Sequence, residues 1–160
     1  MAELELLLYQ LTRVFLWPVM TLILIALGYA LWGLGGFLME CVQRKTTTYY
    51  SPLLRYAEIE SDCRSDDLEL WILKRLERLR MVTRIAPMLG LVATMIAIGP
   101  ALLALGEGEI SAVSSNMVAA FSAVILSLLA ASITFGLLTV RRRWLLEELR
   151  AFERKQERPL

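Results

Sequence analysis

The sequence predicts an all-α integral membrane protein with three transmembrane helices. Hydrophobic residues make up 57% of the 160 residues. Three segments, 14–39, 85–105 and 113–140, contain no charged side chain. Each is long enough to supply the ~20 residues that a helix needs to cross the hydrocarbon core of a bilayer. Because a soluble protein of this size rarely contains such runs, we interpret all three as membrane spans.

The first span is predicted over 14–39, after an outer N-terminal segment over 1–13. We place Pro18 near the start of this helix, where proline is tolerated because the N–H groups of a first turn have no helical partner. Three glycines within 33–36 lower the helix propensity of the other end. They indicate either the close approach of a neighbouring helix or a bend, and the sequence leaves both open.

The segment 40–84 is predicted as a cytoplasmic loop followed by an amphipathic helix. Leucine, and finally valine, recurs at helical spacing between Leu70 and Val82, with four basic residues in between. Basic amphipathic helices are found on membrane surfaces and on nucleic acid. Packing on neighbouring helices, with the charges in water, is the simpler explanation here. We therefore expect no nucleic-acid partner, and we expect this helix to run directly into the second span.

The second span is predicted over 85–105 and the third over 113–140, joined by an outer loop over 106–112. Both spans carry small residues at intervals that place them on one face of the helix. Small residues allow helices in lipid to approach within van der Waals distance. We predict that the spans pack through Gly90, Ala97, Ala101, Ala120, Ala123 and Thr134.

Hydroxyl side chains inside the spans are the first candidates for a functional site. Thr94 lies near the middle of the second span. Its hydroxyl either bonds back to a carbonyl one turn earlier or faces a hydrated pathway, and the residues alone leave both alternatives open. In the third span, Ser127 follows Ala120 and precedes Thr134 at intervals of seven residues, so these three form one weakly polar seam.

The distribution of basic residues predicts the orientation. Nine lie in the segment 41–84 and seven in the C-terminal helix predicted over 141–160, whereas only Arg13 precedes the first span. Because segments rich in Lys and Arg stay on the cytoplasmic side, we predict the N-terminus outside and the C-terminus in the cytoplasm. The residues expected to anchor the helices at the membrane boundary are Arg84, Arg141, Arg142, Arg143 and Trp144.

Two sequence motifs resemble one family. The residues Arg84-Ile-Ala-Pro-Met-Leu-Gly-Leu-Val-Ala-Thr94 are similar to the start of the second pore helix in the MotA/TolQ/ExbB proton channel family, where an Ala-Pro-Leu-Leu-Gly-Leu-Leu-Gly-Thr pattern occurs. The segment Val118–Ala131 is similar to the third-helix pattern of that family, with Ala120-Phe121 where Ala-Leu is usual. The predicted order of spans and cytoplasmic segments also resembles the family.

The resemblance implies a homopentamer whose second and third spans, both extended into the cytoplasm, line a central pore. It also implies a partner of the ExbD/TolR/MotB kind, present in two copies, whose single transmembrane helix lies in the pore and carries an aspartate as ion carrier. Such complexes lie in the prokaryotic cytoplasmic (inner) membrane and couple proton or sodium flow to rotation or force. Thr94 corresponds to the pore threonine of the family, which favours a pore-facing hydroxyl.

The short cytoplasmic section favours the TolQ/ExbB branch of the family over the flagellar stators. Two positions depart from the pattern of that branch. Ala119 stands where that branch has a glutamate, and Val124 where it has a second pore threonine. No ionisable residue is left inside the three spans, although intramembrane carboxylates usually mark an ion path. Any protonatable relay must therefore come from the partner helix or from water. Ser122 or Ser127 is a candidate for the lost hydroxyl, but serine also packs helices together.

Two functions remain open at this point. The first is the pore-forming subunit of an ion-driven motor complex; the second is a non-conducting pentameric scaffold that holds or regulates a partner, which the missing glutamate and threonine support. An enzyme is not expected, since the chain has no histidine and its two cysteines, Cys41 and Cys63, form no metal framework. We expect no cofactor, no metal and no catalytic residue.

Overall fold

A computed structural model of the chain describes residues 2–45 and 65–156, which form three long helices. Helix α1 covers Ala2–Lys45, α2 covers Ser65–Gly106 and α3 covers Ile110–Gln156. The part of the predicted cytoplasmic loop at 46–64, with Cys63, and the end of the predicted C-terminal helix at 157–160 lie outside the described residues.

Each helix contains a stretch that is long and apolar enough to cross a membrane. These candidate spans are Val14–Arg44, Asp67–Gly106 and Ile110–Arg154. The connection between α2 and α3 is short, and Gly108 adopts a left-handed conformation there with φ of 79°. Glycine suits this turn because it has no Cβ to oppose a positive φ.

The prediction that Pro18 lies near a helix start is wrong. Helix α1 already begins at Ala2, so Pro18 lies in its interior. The residues before the first apolar run continue the same helix, which moves the start by more than three turns. The hydroxyl of Thr21 lies 2.7 Å from the carbonyl oxygen of Trp17 and 3.0 Å from that of Pro18. Interior proline is tolerated in membrane helices where such polar side chains are at hand.

The chain packs as two units, and every helix contributes to both. The first unit comprises the described residues of Met1–Leu31 and Val82–Ile133, and the second those of Trp32–Met81 and Thr134–Leu160. In the first unit, alanine dominates the core. One buried cluster joins Val19, Ile23, Ala93 and Ala123, and another joins Ala30, Ala86, Ala130 and Ala131. Small side chains bring the three helices close together, as is typical of packing in lipid.

In the second unit, α1 lies against α3 at Gly33. A Cβ atom built on Gly33 would lie 3.1 Å from Cδ2 of Leu137, which is a tight contact. Helix α1 is unbroken here. Of the two alternatives for the glycines at 33–36, the structure therefore shows a close approach at Gly33. Larger buried side chains fill the rest of this unit, namely Leu68, Ile72, Leu76 and Leu79 of α2 and Leu137, Leu145 and Leu149 of α3.

Candidate functional site

Helices α2 and α3 of the first unit approach each other closely at Gly90 and Ser127. A Cβ atom on Gly90 would lie 2.1 Å from Oγ and 3.0 Å from Cβ of Ser127, and 3.4 Å from Cα of Val124. Ser127 is 0% exposed, and its hydroxyl donates a hydrogen bond to the carbonyl oxygen of Val124 at 2.9 Å. Ser127 therefore packs between two helices of one protomer, and only a glycine at position 90 leaves room for it.

Thr94 and Val124 adjoin this contact from opposite helices. Thr94 follows Gly90 by four residues, which places it one turn further along the same side of α2. It is half-buried, and its hydroxyl donates to the carbonyl oxygen of Leu91 at 2.6 Å. Val124 is also half-buried. The hydroxyl of Thr94 thus makes the local hydrogen bond, while its side chain stays partly accessible beside the helix contact.

Ala119 and Ser122 lie apart from the Gly90 contact. Both are exposed and, being three residues apart, lie on one side of α3. The hydroxyl of Ser122 donates to the carbonyl oxygen of Val118 at 2.8 Å. Ala119 also borders a cavity of about 540 Å³ among the three helices, whose polar lining residues are Glu107 and Asn116. Of the five residues predicted to line a pore, Ser127 is enclosed within the protomer, whereas Thr94, Val124, Ala119 and Ser122 are half-buried or exposed.

The six residues predicted to pack the helices are all buried in the protomer. Ala97, Ala101, Ala120 and Ala123 are at most 8% exposed, and Gly90 and Thr134 are buried as well. Among the described residues, no group of three or more His, Cys, Asp or Glu side chains is placed to hold a metal ion.

A comparison with known protein families identifies the family of this chain. The MotA/TolQ/ExbB proton channel family matches residues 55–154, which is more than half of the chain and includes α2 and nearly all of α3. This chain belongs to the MotA/TolQ/ExbB proton channel family. No curated protein and no solved structure matches it. With its three candidate spans, this member of a proton channel family is a multi-pass membrane protein.

In the second unit of this channel-family protein, Trp144 and Arg141 contact α1. The Trp144 ring stacks on Phe37 with centroids 5.3 Å apart and planes 12° from parallel. The guanidinium of Arg44 lies over the same indole, 4.1 Å from its centroid. Arg141 pairs with Glu40 at 3.3 Å. Two residues predicted as membrane-boundary anchors thus also hold two helices together. The other three predicted anchors are exposed, namely Arg84, Arg142 and Arg143.

Arg44 also forms an ion pair with Glu148. We call this group of contacts the α1–α3 clamp; it consists of Phe37, Glu40 and Arg44 of α1 and of Arg141, Trp144 and Glu148 of α3. None of the three α1 members was predicted from the sequence as a site residue. A signal was present, because Gly33, Phe37, Glu40 and Arg44 recur at intervals of four, three and four residues, which is one face of a helix.

The Arg44–Glu148 pair is expected to couple more strongly than an exposed pair. Its side chains are only 22% and 15% exposed, so water screens the pair poorly. In a double-mutant cycle with Arg44→Gln and Glu148→Gln, measured by reversible unfolding in mixed micelles, we expect a coupling energy of about 1–2 kcal/mol.

The matched control is the Arg143–Glu147 pair on the same helix, whose side chains are 75% and 62% exposed at a distance of 3.4 Å. Its coupling energy is expected to stay below about 0.5 kcal/mol. Equal coupling energies for the two pairs would contradict the role assigned to the clamp.

Proposed function

We propose that this chain is the pore-forming subunit of an ion-driven membrane complex, which converts a proton or sodium gradient into rotation or force on a partner. The observation that carries the proposal is the family match over 55–154, because that range contains both helices that meet at Gly90 and Ser127. The TolQ/ExbB-like branch is favoured by the short cytoplasmic section.

In this proposal, five copies assemble around a pore that α2 and α3 line. Thr94 is assigned to the pore surface because its half-buried side chain borders the α2–α3 contact without being enclosed by it. Val124 adjoins the same contact, while Ala119 and Ser122 contribute from the exposed side of α3. Ser127 is assigned to helix packing, since its side chain is enclosed within one protomer.

The ion carrier is proposed to come from another subunit. The spans 14–39, 85–105 and 113–140 contain no Asp, Glu, Lys, Arg or His side chain that could carry a proton. We assign the carrier to an aspartate on the single transmembrane helix of an ExbD/TolR/MotB-like partner, of which two copies lie in the pore. We place the complex in the prokaryotic inner membrane, where complexes of this family lie. The Lys and Arg residues of 41–84 and 141–160 support a C-terminus in the cytoplasm.

The test is proton and sodium flux into liposomes that contain this protein purified with its single-span partner. We expect flux only with the partner, and a decrease of about tenfold in Thr94→Val, which removes a hydroxyl at nearly constant volume. The matched control is Thr21→Val, because Thr21 of α1 also bonds back to its own helix yet lies outside the proposed pore helices. It is expected to leave the flux unchanged.

The non-conducting scaffold is the second candidate, and the lack of a glutamate at Ala119 and of a hydroxyl at Val124 favours it. An intact complex that carries no flux above empty liposomes under an imposed gradient would indicate the scaffold. Equal flux in wild type and Thr94→Val would support the channel but show that the hydroxyl of Thr94 is not part of the ion pathway.

A further inference from the structure

A small cavity of the second unit lies beside the α1–α3 clamp. Its volume is about 40 Å³. Four of its described lining residues are charged, namely Glu40 and Arg44 of α1, Arg75 of α2 and Arg141 of α3. We call it the arginine cavity, because each of the three helices contributes one arginine. Two of the four charged residues belong to α1, a helix that takes no part in the proposed pore.

Positive charge at the arginine cavity exceeds negative charge. Each ion pair of the clamp offsets one arginine, Arg44 or Arg141, with one glutamate. Arg75 forms no ion pair with any residue that the structure describes, and its guanidinium lies over the ring of Trp71, 4.9 Å from the centroid. An aromatic ring carries no net charge, so one positive charge remains without a counter-charge. Because like charges at one site repel each other, a bound anion would stabilise the three arginines together.

Two hydrogen-bond donors of the clamp also lack an acceptor within the protein. The ion pairs of Arg44 and Arg141 are formed through a terminal nitrogen of each guanidinium. The Nε–H groups of the same two side chains are buried, and neither group has a hydrogen-bond partner in the described part of the chain. A buried donor that has lost water without gaining an acceptor is costly, and in native proteins a water or an ion often supplies the acceptor.

The size and the charge of the arginine cavity favour a small oxyanion over water alone. The volume of about 40 Å³ is about three times the roughly 10–15 Å³ that one water needs. Water could accept from the Nε–H groups but would leave the excess positive charge unchanged. The planar fork of a guanidinium matches the oxygens of a phosphate group. A nucleotide or a sugar phosphate is too large for this volume.

We propose that the arginine cavity binds one phosphate-type oxyanion per protomer. The oxyanion accepts hydrogen bonds from the Nε–H groups of Arg44 and Arg141, and Arg75 supplies the third positive charge. Inorganic phosphate and the phosphate of a lipid headgroup share this chemistry. Because the three arginines come from three helices, the bound anion links the clamp to α2. The site does not depend on whether the complex conducts ions, so the flux experiment and this proposal can fail separately.

The test is equilibrium dialysis of the full-length protein, purified in detergent, against radiolabelled inorganic phosphate at constant ionic strength. Wild type is expected to bind one phosphate per protomer in a saturable manner. Arg75→Gln is expected to bind it roughly tenfold more weakly, as is typical for the loss of one charged contact. The matched control Arg78→Gln removes the same charge from the same helix at an exposed position outside the cavity, and it is expected to bind as wild type does.

Native mass spectrometry of the same preparations distinguishes the two sources of phosphate. Binding of inorganic phosphate to protein that retains no phospholipid would identify the free anion as the ligand. A phospholipid retained by wild type and by Arg78→Gln, but lost from Arg75→Gln, would identify a lipid headgroup at the same site. Size-exclusion chromatography checks that both variants keep the oligomer of wild type.

Three outcomes would overturn the proposal. Wild type that binds neither phosphate nor phospholipid would leave water as the acceptor for the two Nε–H groups, and this result needs no variant. Equal weakening in Arg75→Gln and Arg78→Gln would reduce the effect to general attraction between charges. Unchanged affinity in Arg75→Gln would place the bound phosphate outside the arginine cavity.

Discussion

Replacing Gly90 by alanine is expected to lower the free energy of unfolding by about 1–3 kcal/mol, the usual cost of overpacking a tight interior. The new Cβ would lie 2.1 Å from Oγ of Ser127 and 3.0 Å from its Cβ. Rotation of the hydroxyl relieves the first of these contacts but not the second, so α2 and α3 must move apart. Reversible unfolding of the protein in mixed micelles measures the change.

Gly28 of α1, in the same unit, supplies the control, since a Cβ atom there meets nothing within 4 Å. Gly28→Ala is expected to be neutral or slightly stabilising, because alanine has the higher helix propensity. Ser127→Gly removes the side chain that the new methyl group of Gly90→Ala would meet. The double variant is therefore expected to recover most of the stability lost in Gly90→Ala. A destabilised double variant would show that the two residues do not share one packing space.

Trp144→Ala is expected to cost about 2–3 kcal/mol of stability. This is somewhat less than the ~3–5 kcal/mol typical of a fully buried tryptophan, because Trp144 is half-buried. The substitution removes both the stack on Phe37 and the ring face under Arg44. It also opens space beside the Arg44–Glu148 pair, so the ends of α1 and α3 in this unit should separate before the rest of the protein unfolds.

The control is Trp32→Ala in the same unit, because Trp32 is 79% exposed. We expect it to change the unfolding midpoint by less than half as much. Accessibility of Cys41, which lies between Glu40 and Arg44 on α1, provides a local readout. In a Cys63→Ser background, Trp144→Ala should speed labelling of Cys41 by a water-soluble maleimide, and Trp32→Ala should not. Equal labelling rates would contradict the clamp.

The sequence was sufficient to predict the three helices and the family. The long uncharged runs predict helices that span the membrane, because a helix forms all the hydrogen bonds of its backbone internally and so tolerates the absence of water in lipid. The motif between Arg84 and Thr94 led to the family that matches residues 55–154. The small residues predicted at helix contacts also lie in the interior, since a glycine or an alanine in a span is informative by its size alone.

The partners of individual side chains were decided only by the tertiary structure. From the sequence, Ser127 was a candidate for the pore surface, because a hydroxyl inside a span can form a hydrogen bond with water in a pore or pack against a neighbouring helix. Its enclosure against Gly90 depends on the register between α2 and α3, to which residues far apart in the chain contribute jointly. The same holds for Arg141 and Trp144, which the sequence assigned to the membrane boundary. Charge and aromaticity predict a depth in the bilayer, whereas only the packing of α1 on α3 determines which residues they meet there.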